Sequence, residues 1–231
     1  MRARPARNLA KRVLRRQMPV AWGNLRRRRP FSTYWGFERG LPVDRFYIEA
    51  FLDRCTEDIR GRVLEVSEPV YTRRFGGPDV TSTDVLDIDP KNAEATIVAD
   101  VAASGSLPAS QFDCAVVTQT LQYVDDPGTA IANLWQALAP GGTLLLTVPC
   151  LQRIDPDLPD VDRWRFTPLG LRDLAQRTCA RGEVSVEGHG NVLASVAFLM
   201  GLGADELRRS ELEDDDPDFP LVACARVRRP S

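Results

Sequence analysis

Short apolar runs alternate with segments of helical periodicity along residues 61–231, and that alternation predicts an α/β fold with a mostly parallel sheet covered by helices on both faces. Three observations carry this expectation. GRVLEV (61–66) reads as a buried strand that breaks into a turn at Ser67-Glu68-Pro69. Two further strands, at 80–86 and 95–100, follow before a fourth at Phe112–Val117. Pro140-Gly141-Gly142 then punctuates the passage from a helical pattern into the largely apolar strand 143–148. The architecture expected is Rossmann-like, doubly wound and seven-stranded. In such an open sheet a nucleotide-like ligand lies beyond the carboxyl end of the first strand, so the loop after Val66 is the expected floor of a ligand site.

Taken in order, the chain opens with residues 1–30, which hold eleven Lys and Arg and no acid, leaving a surplus of thirteen acids in the remainder of a chain with net charge -2. Leu9, Val13, Leu14 and Met18 recur at near-helical spacing there, a pattern that suits a short basic amphipathic helix. Such a tail is either solvated or makes contact with a membrane surface or another anionic partner. Residues 31–60 read as an N-terminal helical lid. Pro42 and Asp44 give a start signal, and Tyr47, Ile48, Phe51 and Leu52 form one stripe of a helix expected from about Asp44 to Ile59. Ahead of it, Tyr34, Trp35, Phe37, Arg39 and Arg45 either cover a sheet edge or close over a site.

The domain proper, 61–231, continues with a second strand at 80–86, an abbreviated connection DIDPKNAE, a third strand at 95–100, and the fourth. A helix is expected over 129–138, a fifth strand over 143–148, then a helix at 169–178, a strand at 183–187, a helix at 192–201 and a last strand at 221–227.

Composition narrows the function. The hydrophobic content of 43% with 27% charged residues fits one globular domain with a real core. Cys55, Cys114, Cys150, Cys179 and Cys224 lack ligand or disulfide spacing, so no metal site and a reducing cytoplasm are expected. No apolar run approaches the roughly 20 residues needed to span a bilayer. No GxGxxG turn supports a nicotinamide cofactor. Nucleic acid is an unexpected partner, because the basic charge is confined to the tail and the rest of the chain is acidic.

The segment FDCAVVTQTLQYVDDPGTAIANLWQALAPGGTLLLTVP (112–149), joined by VLEV, VTSTD and VAD upstream, resembles the class I S-adenosylmethionine-dependent methyltransferases over about Gly61 to Pro149. In particular it is similar to small bacterial methyltransferase type 11-like proteins, on RGLPVDRFYIEAFL and YTRRFG. The resemblance implies S-adenosyl-L-methionine as cofactor. It places Glu65 at the methionyl ammonium, with Ser67 and Tyr71 in the adjoining loop and short helix. Asp84, 19 residues past Glu65, becomes the ribose ligand, since a carboxylate offers two acceptors to a vicinal diol. Asp87 and Asp89 compete for that role or cap a turn. Asp100 would accept from the adenine amino group with Val101 supplying backbone contact, and Thr118 and Gln119 would face the methionine part and the acceptor.

The implied acceptor is a small molecule, a hydroxyl or amine of a sugar or specialised metabolite as in natural product biosynthesis. Arg39, Tyr47, Asp162, Trp164 and Arg165 are its candidate contacts. His189, the only histidine, is a candidate base or, between Gly188 and Gly190, a structural turn residue. One departure stands out: the loop after the first strand is SEPVY, where the family places glycines for close backbone approach. That leaves open a second reading, a methyltransferase-fold protein acting as a non-methylating enzyme or an assembly partner.

Overall fold

The computed structural model describes residues 23–231. They fall into two units, the first ending at Pro30 and the second spanning Phe31–Ser231. The described part of the first holds a 3-10 turn at Gly23–Arg26; the basic helix expected around residues 9–18 lies outside the described residues.

The second unit is built on seven strands: β1 (Gly61–Val66), β2 (Val80–Asp87), β3 (Ile97–Val98), β4 (Phe112–Thr118), β5 (Leu138–Pro149), β6 (Glu183–His189) and β7 (Val222–Arg228). Their order across the sheet is β3-β2-β1-β4-β5-β7-β6, parallel except for β7, which runs against both neighbours. The helices are α1 (Val43–Arg54), α2 (Val70–Phe75), α3 (Pro127–Ala137), α4 (Pro168–Thr178), α5 (Val192–Leu199) and α6 (Arg209–Leu212).

Strand side chains alternate between faces, and here both faces are apolar because both are covered. Val63, Cys114, Val116 and Leu145 share one core with Ile48, Phe51 and Leu52 of α1 and Phe198 of α5. Leu64, Ala115, Val117, Leu144 and Leu146 point the other way, onto Ile131 and Leu134 of α3 and Leu171 and Ala175 of α4. The helices begin where short polar side chains take up orphan amides. Asp126 accepts from the Gly128 and Thr129 N–H groups, Thr167 from Gly170 and Asn191 from Ala194, with Pro127 and Pro168 in the first turns of α3 and α4.

Several boundaries move from expectation. Helix α1 stops at Arg54 and a 3-10 turn at Thr56–Asp58 completes the segment. The third strand shrinks to two residues at the sheet edge, and β5 begins before the Pro-Gly-Gly turn. Strand β2 runs on to Asp87, with Leu64 opposite Asp84 and Val66 opposite Leu86.

Residues 31–42 are fixed by close backbone contact with the chain after α5. Gly36 has φ 91, and a Cβ on it would stand 2.7 Å from the Leu202 carbonyl oxygen. A Cβ on Gly201 would stand 2.5 Å from the Ser32 oxygen. The buried Ser32 hydroxyl accepts from the N–H groups of Tyr34 and Gly36, which sets the turn that presents Trp35.

Candidate functional site

The carboxyl ends of β1, β2 and β3 lie side by side, and each is followed by a polar loop. After β1, Ser67 takes the left-handed conformation at φ 69 that a glycine would ordinarily supply. The turn is therefore made without glycine. Its N–H donates to the Leu86 carbonyl (2.9 Å), and its own carbonyl accepts from the Asn92 side-chain amide at 2.7 Å. The same amide donates to Asp87 Oδ2 at 2.6 Å, so Asn92 staples the β1 loop to the end of β2. Nothing in the motif pattern singled out Asn92; its place in an eight-residue connection too short for a helix was the available signal.

Asp84 is not at this edge, which corrects its assignment to the ribose. It lies inside β2 and pairs with Arg62 at 2.7 Å while accepting from Thr96 Oγ1 at 3.1 Å. The Arg62 hydrogen bond holds its carboxyl below the usual range. Asp87, the last residue of β2 and half-buried, is the carboxylate at the strand end. Asp100 follows β3 and is exposed; its Oδ1 accepts from the Ala102 N–H at 2.8 Å in a turn. Val101 is buried and its carbonyl accepts from the Asn133 side chain at 2.7 Å.

Glu65 also departs from expectation. Its carboxylate is buried, with Oε1 accepting from the Tyr71 N–H (2.9 Å) and Oε2 from the Thr72 N–H (2.8 Å). Pro69, at the N-cap of α2, offers no side-chain cap, so Glu65 caps that helix from the neighbouring strand. Burial pushes its pKa up against these hydrogen bonds. Tyr71 stacks on Phe75, and its hydroxyl accepts from Arg45 at 3.3 Å. Arg73 and Arg74 are taken by Glu94 and Glu49.

Beyond β4 a cavity of about 170 Å³ opens under the lid. Trp35 and Phe37 of the lid and Asp44 and Arg45 of α1 form one side of it. Gln119, Gln122, Tyr123, Gln152 and Asp155 form the other, all from loops after β4 and β5. Thr118 ends β4, and Gln119 turns the chain with φ 48. Gln119 Nε2 and Gln122 Oε1 are buried without a hydrogen-bond partner, although Gln122 Nε2 donates to the Gln119 carbonyl at 2.8 Å. Asp44 is buried, and burial raises its pKa against the nearby Arg45. Burial, followed by the hydrogen bond to Asp155 at 2.8 Å, pushes the Tyr123 hydroxyl up to about 12.

None of the other acceptor contacts expected from sequence lines this cavity. Arg39 is paired with Glu206 and lies over Phe31. Asp162 and Arg165 pair within the loop after β5, where Asp162 also accepts from the Asp155 N–H at 2.8 Å and Arg165 donates to the Gln152 and Arg153 carbonyls. Trp164 Nε1 donates to the Val124 carbonyl at 2.8 Å. These three residues shape the loop that delivers Gln152 and Asp155.

Tyr47 and His189 belong to a different cavity, of about 640 Å³, beside α1 and β6. Their rings stack 7° from parallel. His189 ends β6, with Nδ1 2.8 Å from Asp215 and Nε2 3.2 Å from Glu187, and the Tyr47 hydroxyl donates to the Leu212 carbonyl. Among the described residues, no group of three or more His, Cys, Asp or Glu could hold a metal ion, and no helix is long and apolar enough to cross a membrane.

Comparison with known proteins bears on this geometry. Residues 70–146 match a family model described as a methyltransferase domain. A solved S-adenosylmethionine-dependent methyltransferase from Mesorhizobium loti is 18% identical, with 81% of this chain covering 98% of that one at a TM-score of 0.52. One from Archaeoglobus fulgidus is 13% identical, with 86% and 100% coverage and a TM-score of 0.55. No curated protein matches the chain.

Proposed function

The chain is a class I methyltransferase in fold, and we propose that it binds S-adenosyl-L-methionine along the carboxyl ends of β1 to β4 and transfers its methyl group to a small-molecule acceptor. The observation that carries this reading is the row of Ser67, Asp87 and Asp100 following three adjacent parallel strands, the first two tied together by Asn92. A nucleoside cofactor lies across such strand ends, where carboxylates accept from its hydroxyl and amino groups, and the left-handed Ser67 supplies the turn.

The residues present fit the cofactor. In this reading Asp87 takes the ribose diol through the lone pairs left beside its bonds from the Asp89 N–H and Asn92, Asp100 takes the adenine amino group through the oxygen that does not cap its turn, and the Ser67-Glu68 loop takes the methionyl part. When bound, S-adenosyl-L-methionine supplies a methyl group already activated on a sulfonium, so the protein's task is mainly alignment. The aromatics Trp35 and Phe37 line the space beyond Gln119 on the lid side. A carboxylate oxygen of Asp44, in the same cavity and raised by burial, is the acceptor placed to hold a proton drawn from an acceptor hydroxyl. His189 takes no part, since it lies in the other cavity with both ring nitrogens engaged.

Calorimetry of the full chain with S-adenosylmethionine and S-adenosylhomocysteine tests the reading. Saturable binding of both is expected; a folded protein that binds neither overturns it.

A further inference from the structure

The connection between β2 and β3 is too short for a helix and folds instead as a run of side-chain turns. Asp87 accepts from the Asp89 N–H at 2.9 Å, Asp89 from the Lys91 N–H at 2.9 Å, and Asn92 from the Glu94 N–H at 3.0 Å. Aspartate and asparagine serve such turns alike. The first two positions are aspartates and the third is not, and what asparagine adds is a donor.

That donor is fully used. Asn92 Nδ2 carries two hydrogens and stands 2.7 Å from the Ser67 carbonyl and 2.6 Å from Asp87 Oδ2. An aspartate at 92 would turn an oxygen on both of these acceptors instead. The asparagine is itself held from behind: its N–H donates to the Asp89 carbonyl at 3.1 Å, and its carbonyl accepts from the Ala95 N–H at 3.2 Å. The β1 loop is gripped elsewhere by the Ser67 N–H on the Leu86 carbonyl and by the Glu65 carboxylate on the Tyr71 and Thr72 N–H groups. Asn92 is what joins that loop to the carboxylate ending β2.

A second link between the same two segments separates holding from positioning. Arg73 of α2 pairs with Glu94 at 2.7 Å, both side chains being exposed. This ion pair bridges the segments without touching Ser67 or Asp87, and an exposed pair of its kind contributes little.

We propose that Asn92 is the positioning residue of the cofactor site: its one amide nitrogen fixes the Ser67 carbonyl and the Asp87 carboxylate relative to each other, so that a single ligand meets both. The assignment rests on the cofactor reading above.

The test is titration calorimetry of the full chain with S-adenosylhomocysteine, with hydrogen exchange on the cofactor-free chain. Asn92→Ala is expected to weaken binding by about fivefold or more, and to speed exchange of the Ser67 and Glu68 N–H groups by about as much. Arg73→Ala removes the outer link and is expected to leave affinity within about twofold. Asn92→Asp keeps the turn but sets a second carboxylate against Asp87, and two carboxylates so placed take up a proton more readily than either alone. Its binding is therefore expected to recover by about fivefold or more between about pH 8 and about pH 5, a recovery that neither the unaltered chain nor Asn92→Ala shows. An asparagine with a merely structural role would lower stability and give no such pH profile.

If Asn92→Ala does not fold, Asn92→Asp decides alone. Affinity and exchange of Asn92→Ala within about twofold of the unaltered chain overturn the inference, as does an Asn92→Asp profile parallel to that of the unaltered chain. A loss in Arg73→Ala as large as in Asn92→Ala overturns it too, because any link between the segments would then suffice. Failure of the unaltered chain to bind S-adenosylhomocysteine is a different result, which removes the cofactor reading and this role with it.

Discussion

The two cavities differ more in how their polar groups are satisfied than in what residues they hold. Around the 640 Å³ cavity, Arg74 pairs with Glu49, Arg54 with Glu187, Arg209 with Glu213 and His189 with Asp215, and the Tyr47 hydroxyl donates to a backbone carbonyl. The 170 Å³ cavity is lined by fewer charges, and behind it Gln119 and Gln122 each bury one amide atom with no partner. Surface ion pairs of the first kind are ordinary features of a solvated face and contribute little each. Buried unpaired groups are the costlier kind. Size and the presence of the only histidine therefore point to one place, and hydrogen-bond accounting to the other.

The largest expected effect separates the strand-end site from the strand interior. Asp87→Ala should weaken S-adenosylhomocysteine binding by about tenfold or more, corresponding to roughly 1.5–3 kcal/mol for a lost hydrogen bond to a charged group. Asp84→Ala should leave that affinity within about twofold, because its carboxylate is spent on Arg62 and Thr96. Titration calorimetry of the two variants checks this; the reverse order would return the ribose to Asp84.

That contrast shows how far the sequence could be read. The alternation of apolar runs and the Pro-Gly-Gly turn were enough for sheet, order of elements and direction of most strands, because both faces of the sheet are buried and leave a strong pattern. Position within a strand was harder. The VTSTD motif drew attention to Asp84, but the strand continues through the buried Val85 and Leu86, and its end falls three residues later. Asp100, Ser67 and Gln119 drew attention in the sequence because strand ends carry a local signal. Arg39, Asp162 and Arg165 were misjudged because an arginine near a pocket reads alike whether it meets a ligand or an acid distant in sequence, as Arg39 meets Glu206. Asp44, Gln122 and Asp155 escaped notice because their convergence depends on how the lid folds over the β4 and β5 loops.

A second effect concerns acid stability, where buried carboxylates act with opposite sign. In the loop behind the small cavity, burial raises the Asp162 carboxyl, but Arg165 and the Asp155 N–H outweigh it and hold the group below the ordinary value. Its stabilisation is thus present above the ordinary aspartate range near 4 and is lost as pH falls through the lowered folded value. Glu65 and Asp44, both raised by burial, behave in the other direction: their protonated forms favour the fold, and that contribution fades as pH rises through their folded values. Asp162→Asn should therefore cost about 1–2 kcal/mol at neutral pH and progressively less in acid, flattening the low-pH limb of stability measured by urea unfolding. A limb of unchanged slope would show that Asp162 is not a source of it.

Next in size is the histidine. His189→Gln removes contacts to Asp215 and Glu187 and the stacking on Tyr47, and should cost about 1 kcal/mol of stability. Cofactor affinity and single-turnover methyl transfer to a bound acceptor should stay within about twofold. A selective loss of transfer, with both affinities intact, would break the distinction between the two cavities and bring the larger one into the reaction.

The smallest effect bears on the glycine-free loop itself. Holding Ser67 at φ 69 costs about 1–2 kcal/mol relative to the right-handed region, while a glycine there would lose about 0.5–1 kcal/mol more in conformational freedom on folding. The two nearly offset, so Ser67→Gly should change stability by less than about 1 kcal/mol. Its informative readout is cofactor affinity. The Ser67 carbonyl is already held by Asn92 and its N–H by Leu86, so the turn keeps its shape with or without a side chain. If the Ser67 Cβ leaves room for the methionyl part, Ser67→Gly binds S-adenosylmethionine no more than about twofold tighter than the unaltered chain. Tightening by about tenfold or more would mean that the serine obstructs the approach that family glycines permit, and would favour a protein whose methyl-transfer site has closed over a non-methylating role.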